Sequence, residues 1–134
     1  MSDNERIKSL ADAAISGGSA IQQLQAAYDE VGWRIQEPSW AKARHLLYHL
    51  LSATTELALL VEEVEHAEDR GETVTSDEFI KTISEHASVS AHLLFHAAQI
   101  ANMAGADLGA ELVKLHHGNA QRFAPDSGFA QLDL

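Results

Sequence analysis

Cysteine is missing from this 134-residue chain, which rules out disulfides and thiolate metal ligands. Proline is nearly missing too. Only Pro38 and Pro125 interrupt the backbone, and β-branched residues are sparse, so little in the composition resists helix. Basic charge is scarce: 9 Lys and Arg stand against 20 Asp and Glu, a net charge of -11. Such a surface repels the phosphate backbone of nucleic acid and an anionic membrane, so neither partner is expected. A nucleotide is not excluded, because a bound divalent cation or a local Lys/Arg cluster can reverse the field inside one pocket. Long apolar runs are also lacking. Leu57 to Val61 is among the longest, far short of the roughly 20 residues that span a bilayer. The N-terminus MSDNERIKSL lacks the basic-then-apolar pattern of a secretory signal. A soluble, cytoplasmic chain is the expectation.

What remains is rich in Ala, Leu, Glu, Gln and His, and predicts an all-α fold. The length suits a single domain over 1–134, with a core about 20–123 and a tail at 124–134, burying roughly two-thirds of its unfolded surface. A short helix is predicted from Asn4 to Ile15, ended by Gly17 and Gly18. Ser19 can then cap a second helix through Ile21, Leu24, Ala27, Tyr28 and Val31. GWRIQEPSW reads as a connection, with Ser39 capping the next helix. From Trp40 to about Arg70, Leu46, Leu50, Leu57, Val61 and Val64, joined by Leu47, Leu51 and Ala58, keep a helical period. Thr75 with Glu78 has the form of a capping box for a helix running to about Met103. Gly105 stops it, Asp107 caps a last helix from Leu108 to His117, and Gly118 stands at a C-cap position. The tail APDSGFAQLDL has turn composition. Four main helices plus a short N-terminal one suggest a bundle.

Two polar edges stand out. At 100° per residue His45, His49, Ser52 and Glu56 fall within about 60°, and Glu85, His92 and His96 within about 40°, with Ser88 at the margin. If the two helices form a hairpin, this pattern pairs His45 with His96, His49 with His92, Ala53 with Ser88 and Glu56 with Glu85. A loop centred near residue 73 implies a register slipped by roughly 7 Å. Imidazoles and carboxylates pointing inward from facing helices can hold a divalent metal. The plainer reading has the histidines packing and hydrogen bonding, since His has an intermediate burial tendency. Glu62, Glu63, Glu65, Glu68 and Asp69 form an acidic run that reads as a solvated face, and His116 and His117 read as surface residues.

Four segments, in order, resemble the MazG-like all-α nucleoside triphosphate pyrophosphohydrolases. IQQLQAAYDEVGW resembles that family's first helix and following Trp, and RHLLYHLLSATTELALL its E-x-x-E helix. EHASVSAHLLFHAAQIA resembles its E-x-x-D helix, and GADLGAELVKLHHGNAQRF its Gly, Asp-Leu, Lys and Asn-x-x-Arg-aromatic end. The resemblance implies a MazG-like bundle that binds a nucleoside or deoxynucleoside triphosphate and cleaves it to the monophosphate and pyrophosphate. It also implies Mg²⁺ or Mn²⁺ as cofactor, and a homo-oligomer, dimer or tetramer. Carried over, the acids fall on Ala53 and Glu56 and on Glu85 and Ser88, so half of them are replaced. Glu56 and Glu85 become the catalytic, metal-holding acids, and Lys114, Asn119 and Arg122 the phosphate-binding set. A non-catalytic member that binds nucleotide or serves as an oligomeric scaffold is the alternative. A further one is a transition-metal bundle in which His49 and His92, with His45 and His96, hold Zn²⁺ or a similar ion, since imidazole suits such metals better than Mg²⁺.

Overall fold

The computed structural model describes residues 2–33 and 38–134, of Trp33 the backbone alone. The middle of the GWRIQEPSW connection and the side chain of Trp33 lie outside the described residues. Every regular element among the described residues is helical. The helices are α1 (Asp3–Tyr28), α2 (Trp40–Asp69), α3 (Ser76–Glu85), α4 (Ser88–Ala104) and α5 (Leu108–Phe123), with a π-helical turn at Asp29–Trp33 after α1. The chain divides into two compact units, one of Met1–Gln36 with Ala98–Leu134 and one of Glu37–Ala97. The chain passes from the second to the first within α4.

In the first unit α1 runs unbroken through Gly17 and Gly18, so the short N-terminal helix of the sequence reading is in fact 26 residues long. Two glycines tolerated inside a helix cost about 1 kcal/mol each, and Gly18 has a packing reason to be there. A Cβ on Gly18 would lie 2.7 Å from Cα of Gly109, and one on Gly109 would lie 2.6 Å from Cα of Ile15. Only a hydrogen at both positions lets α1 and α5 approach this closely. A second clamp sits beside it. Gln22 Nε2 donates to Asn102 Oδ1 (3.0 Å) and to the Ala106 carbonyl (2.8 Å), while its Oε1 accepts from Leu108 N (2.8 Å). Asn102 Nδ2 returns a bond to the Gln22 carbonyl at 3.0 Å. One glutamine thus ties α1 to the end of α4, the linking turn and the start of α5.

The α4–α5 turn follows the sequence reading: Gly105 takes φ 64 and Asp107 caps α5 through Ala110 N at 2.9 Å. Gly118, read as a C-cap, lies inside α5, which continues to Phe123. The tail packs rather than trails. Buried Gly128 approaches Asn4 and Ile7 of α1, and His117 Nδ1 meets the Phe129 carbonyl at 2.9 Å.

In the second unit Ser39 caps α2 by accepting from Lys42 N. Thr75 and Glu78 form the expected capping box, with Thr75 N donating to Glu78 Oε2 at 2.9 Å. The helix from Thr75 to Met103 is, however, two helices. It breaks at His86 and Ala87, so Glu85 ends α3 and Ser88 begins α4. The cause is local. Thr82 Oγ1 bonds the Glu78 carbonyl (2.8 Å), Ser84 Oγ the Ile80 carbonyl (2.7 Å), and the His86 ring the Thr82 carbonyl (2.9 Å). Side chains that return to their own backbone weaken and bend helices, and here three of them fall within five residues.

Helix α2 has three faces. Leu46, Ala53 and Leu60 are buried and, at 100° per residue, lie within about 40° of one another. Leu47, Leu51, Thr54, Ala58 and Val61 are exposed and make a second stripe about 80° wide. The period in Leu46–Val64 is therefore the overlap of two apolar stripes, one inward and one outward. The third face carries His45, His49 and Glu56, all exposed.

Candidate functional site

The most organised chemical group lies on that third face. His45 and His49, one helical turn apart, turn their Nε2 atoms toward each other at 3.3 Å. Their rings meet edge to face with centroids 4.7 Å apart. From α4, His96 stacks on His49 with ring centroids 5.3 Å apart, and Phe95 makes a T-shaped contact with His96 at 5.1 Å. His96 is only 5% exposed. Lowered below its ordinary value of 6.5, the His49 pKa reflects desolvation first, then the like charges of His45, His96 and His92. The imidazoles of α2 and α4 therefore do share one place, as the two polar edges implied. The ring contact joins His49 to His96, one helical turn from the register in which His45 faces His96 and His49 faces His92.

Glu85 lies elsewhere. It lines a groove whose walls are Leu60, Glu63, Val64 and Ala67 of α2, the 72–74 segment, and Glu78, Lys81 and Thr82 of α3. Glu56 is exposed on α2, one turn before this groove begins at Leu60. Ala53 is buried. Ser88 stands across the helix break from Glu85, so an E-x-x-D spacing at these positions would not put both side chains on one helical face. Among the described residues no group of three or more His, Asp or Glu is arranged to hold a metal ion.

Lys114, Asn119 and Arg122 all sit on α5 and are exposed. They spread over about 140° of its circumference, and two of them already have partners. Lys114 Nζ bonds Glu111 Oε1 at 2.9 Å, which raises its pKa. The Arg122 guanidinium lies 5.0 Å from the Phe123 ring centre. Lys114 also lines a cleft beside Asn4, Lys8 and Asp12 of α1, closed by the tail at Leu132–Leu134. Glu56 and Glu85 belong to the second unit, and the α5 residues to the first.

No family model, curated protein or solved structure matches the chain. Among the described residues, no helix is long and apolar enough to cross a membrane.

One buried carboxylate escaped the sequence reading. Asp29, in the π-helical turn, is 5% exposed, and its Oδ1 accepts from Gln25 Nε2 and Gln99 Nε2, both at 2.8 Å. Both amides are buried. The i,i+4 spacing of Gln25 and Asp29 was the available signal, but such pairs usually face water and nothing local marks this one as internal. Donated hydrogen bonds are what make a buried carboxylate tolerable, so this cluster reads as a structural peg.

Proposed function

We propose that the protein is an assembly-forming helical protein of the MazG-like type, whose α2 pairs with α2 of a second copy. The observation that carries this is the outward stripe Leu47, Leu51, Thr54, Ala58 and Val61, which repeats at intervals of four, three, four and three residues. That is the 3.5-residue spacing of a helix-pairing seam. Thr54 donates its hydroxyl to the Leu50 carbonyl at 2.8 Å, so it brings no unpaired donor into an apolar contact.

Charge sets the orientation. Carried outward, the same spacing reaches Arg44 at one end of the stripe and Glu65 at the other. An antiparallel pair centred on Thr54 places Leu47 against Val61 and brings Arg44 within one residue of Glu65 of the second copy. A parallel pair would set like against like at both ends, which costs specificity. Continued from Trp40, itself 90% exposed, to Glu68, the strip is about 42 Å long and about 10 Å wide. That is about half of the roughly 800 Å² per partner of a stable interface.

Triphosphate hydrolysis with Mg²⁺ or Mn²⁺ is the competing reading, resting on the order of the four family-like segments and on Glu56 and Glu85. Mg²⁺ takes oxygen ligands and a triphosphate adds further negative charge, so Ala53 and Ser88 weigh against turnover. Two measurements divide the readings. Sedimentation of the purified chain should give a dimer or larger species that Leu51→Asp dissociates. Pyrophosphate release from a panel of nucleoside triphosphates should not exceed that of a Glu56→Ala, Glu85→Ala control. A monomer that releases pyrophosphate above that control overturns the assembly reading in favour of the enzyme.

A further inference from the structure

We propose that His45 and His49 form a chelating clamp for one divalent transition-metal ion, with His96 as the residue that positions it. The decisive number is the 3.3 Å between the two Nε2 atoms. A tetrahedral ion bound at about 2.0–2.1 Å by two imidazoles holds its nitrogens about 3.3–3.4 Å apart. The separation of the two nitrogens therefore already matches the bite of a zinc-like ion. It also sits on a rigid element, since both histidines lie well inside the 30-residue α2, and sites on helices are held more accurately than sites on loops.

The surroundings fit the task. His96, stacked on His49 and itself buried and in T-shaped contact with Phe95, limits rotation of the His49 ring. With His45 and His49 exposed, two coordination positions stay open to water or a small anionic ligand, as in sites that exchange or react rather than sites that only brace a fold.

The proton balance is simple. In the metal-free pair one imidazole gives its Nε2 hydrogen to the other's Nε2 lone pair. On binding, that proton moves through water to Nδ1 of the same ring, and both Nε2 lone pairs face the ion. The neutral pair loses no net proton. Imidazole donors select Zn²⁺, Ni²⁺ or Cu²⁺ over Mg²⁺, which separates this clamp from any carboxylate-held ion at Glu56 or Glu85.

The test uses the full chain freed of any affinity tag, titrated with Zn²⁺ and, separately, with Co²⁺, whose visible bands report coordination number. One ion per chain is expected, weakened at least tenfold in His45→Gln and in His49→Gln. Both substitutions are at exposed positions, and circular dichroism verifies that the variants fold. His96→Phe keeps a ring against His49 and should retain binding, whereas His96→Ala should weaken it and change the Co²⁺ spectrum. His92→Gln and the double His116→Gln, His117→Gln should bind as the parent does. No saturable Zn²⁺ binding by the parent, binding that survives the double His45→Gln, His49→Gln substitution, or binding lost in the His116/His117 variant instead would each overturn the clamp. Leu51→Asp, altered on a different face of α2, should bind the ion unchanged, so this inference and the assembly reading fail independently.

Discussion

Gly17 and Gly18 are neighbours with the same side chain and opposite expected responses to substitution. A Cβ at Gly17 would meet nothing within 4 Å, whereas at Gly18 it would drive into the backbone of Gly109. Gly17→Ala should therefore raise stability by about 0.5–1 kcal/mol through helix propensity. Gly18→Ala should lower it by roughly 1–3 kcal/mol, the usual cost of overpacking. Urea unfolding of the two variants checks both signs. Gly118→Ala, inside α5 with open space around it, should follow Gly17. A second expectation concerns protons. Because folding holds His49 below 6.5, first by desolvation and then by neighbouring histidines, the unfolded chain binds this proton more readily. Its contribution to stability is full above pH 6.5 and declines as the pH falls toward the depressed value. In buffer freed of metal by a chelator, the urea midpoint should drop between pH 7.5 and 5.5, and His49→Gln should reduce that drop.

Element boundaries show which parts of the fold can be read from short windows. The caps at Ser39, Thr75 and Asp107 and the left-handed Gly105 were all legible, because a cap bonds residues two to four positions away. Thr75→Ala should cost about 1 kcal/mol and loosen α3 first, visible as faster amide exchange over Ser76–Glu85. The misplaced boundaries have another origin. Gly17, Gly18 and Gly118 read locally as helix ends, yet Gly18 is kept for the sake of Gly109, some 90 residues away, and no local pattern reveals a tertiary partner. The break at His86 was missed for the opposite reason. It coincides with Thr82, Ser84 and His86 bonding their own helix, a run of weakly unfavourable residues without a Gly or Pro to announce it. That break also separates Glu85 from Ser88, so the most site-like spacing in the sequence does not survive as one face. The histidine edges fared better. Their helical phase was readable, and His49 does reach His96, although the axial register was not.

At the scale of the whole chain, the recurring feature is apolar surface facing outward: α2 through Leu47, Leu51 and Val61, and α3 through Phe79, Ile80 and Ile83. Contiguous patches of this kind mark interaction sites more often than accident. The central claim is that α2 meets α2 of a second copy antiparallel, about a two-fold axis at Thr54, and the absence of native cysteine allows a direct test without background. Single cysteines are introduced at Leu47, Thr54 and Val61, and disulfide formation under mild oxidation is measured on the assembled protein. A disulfide needs Cα atoms about 4.4–6.8 Å apart, a condition that a residue and its own copy meet only near the axis. A covalent dimer is expected from Thr54→Cys, none from Leu47→Cys or Val61→Cys alone, and a covalent dimer when those two variants are mixed. Cross-linking of Leu47→Cys with itself would show a parallel pair, and no cross-link at any of the three positions would show that this face of α2 does not pair; either result contradicts the account.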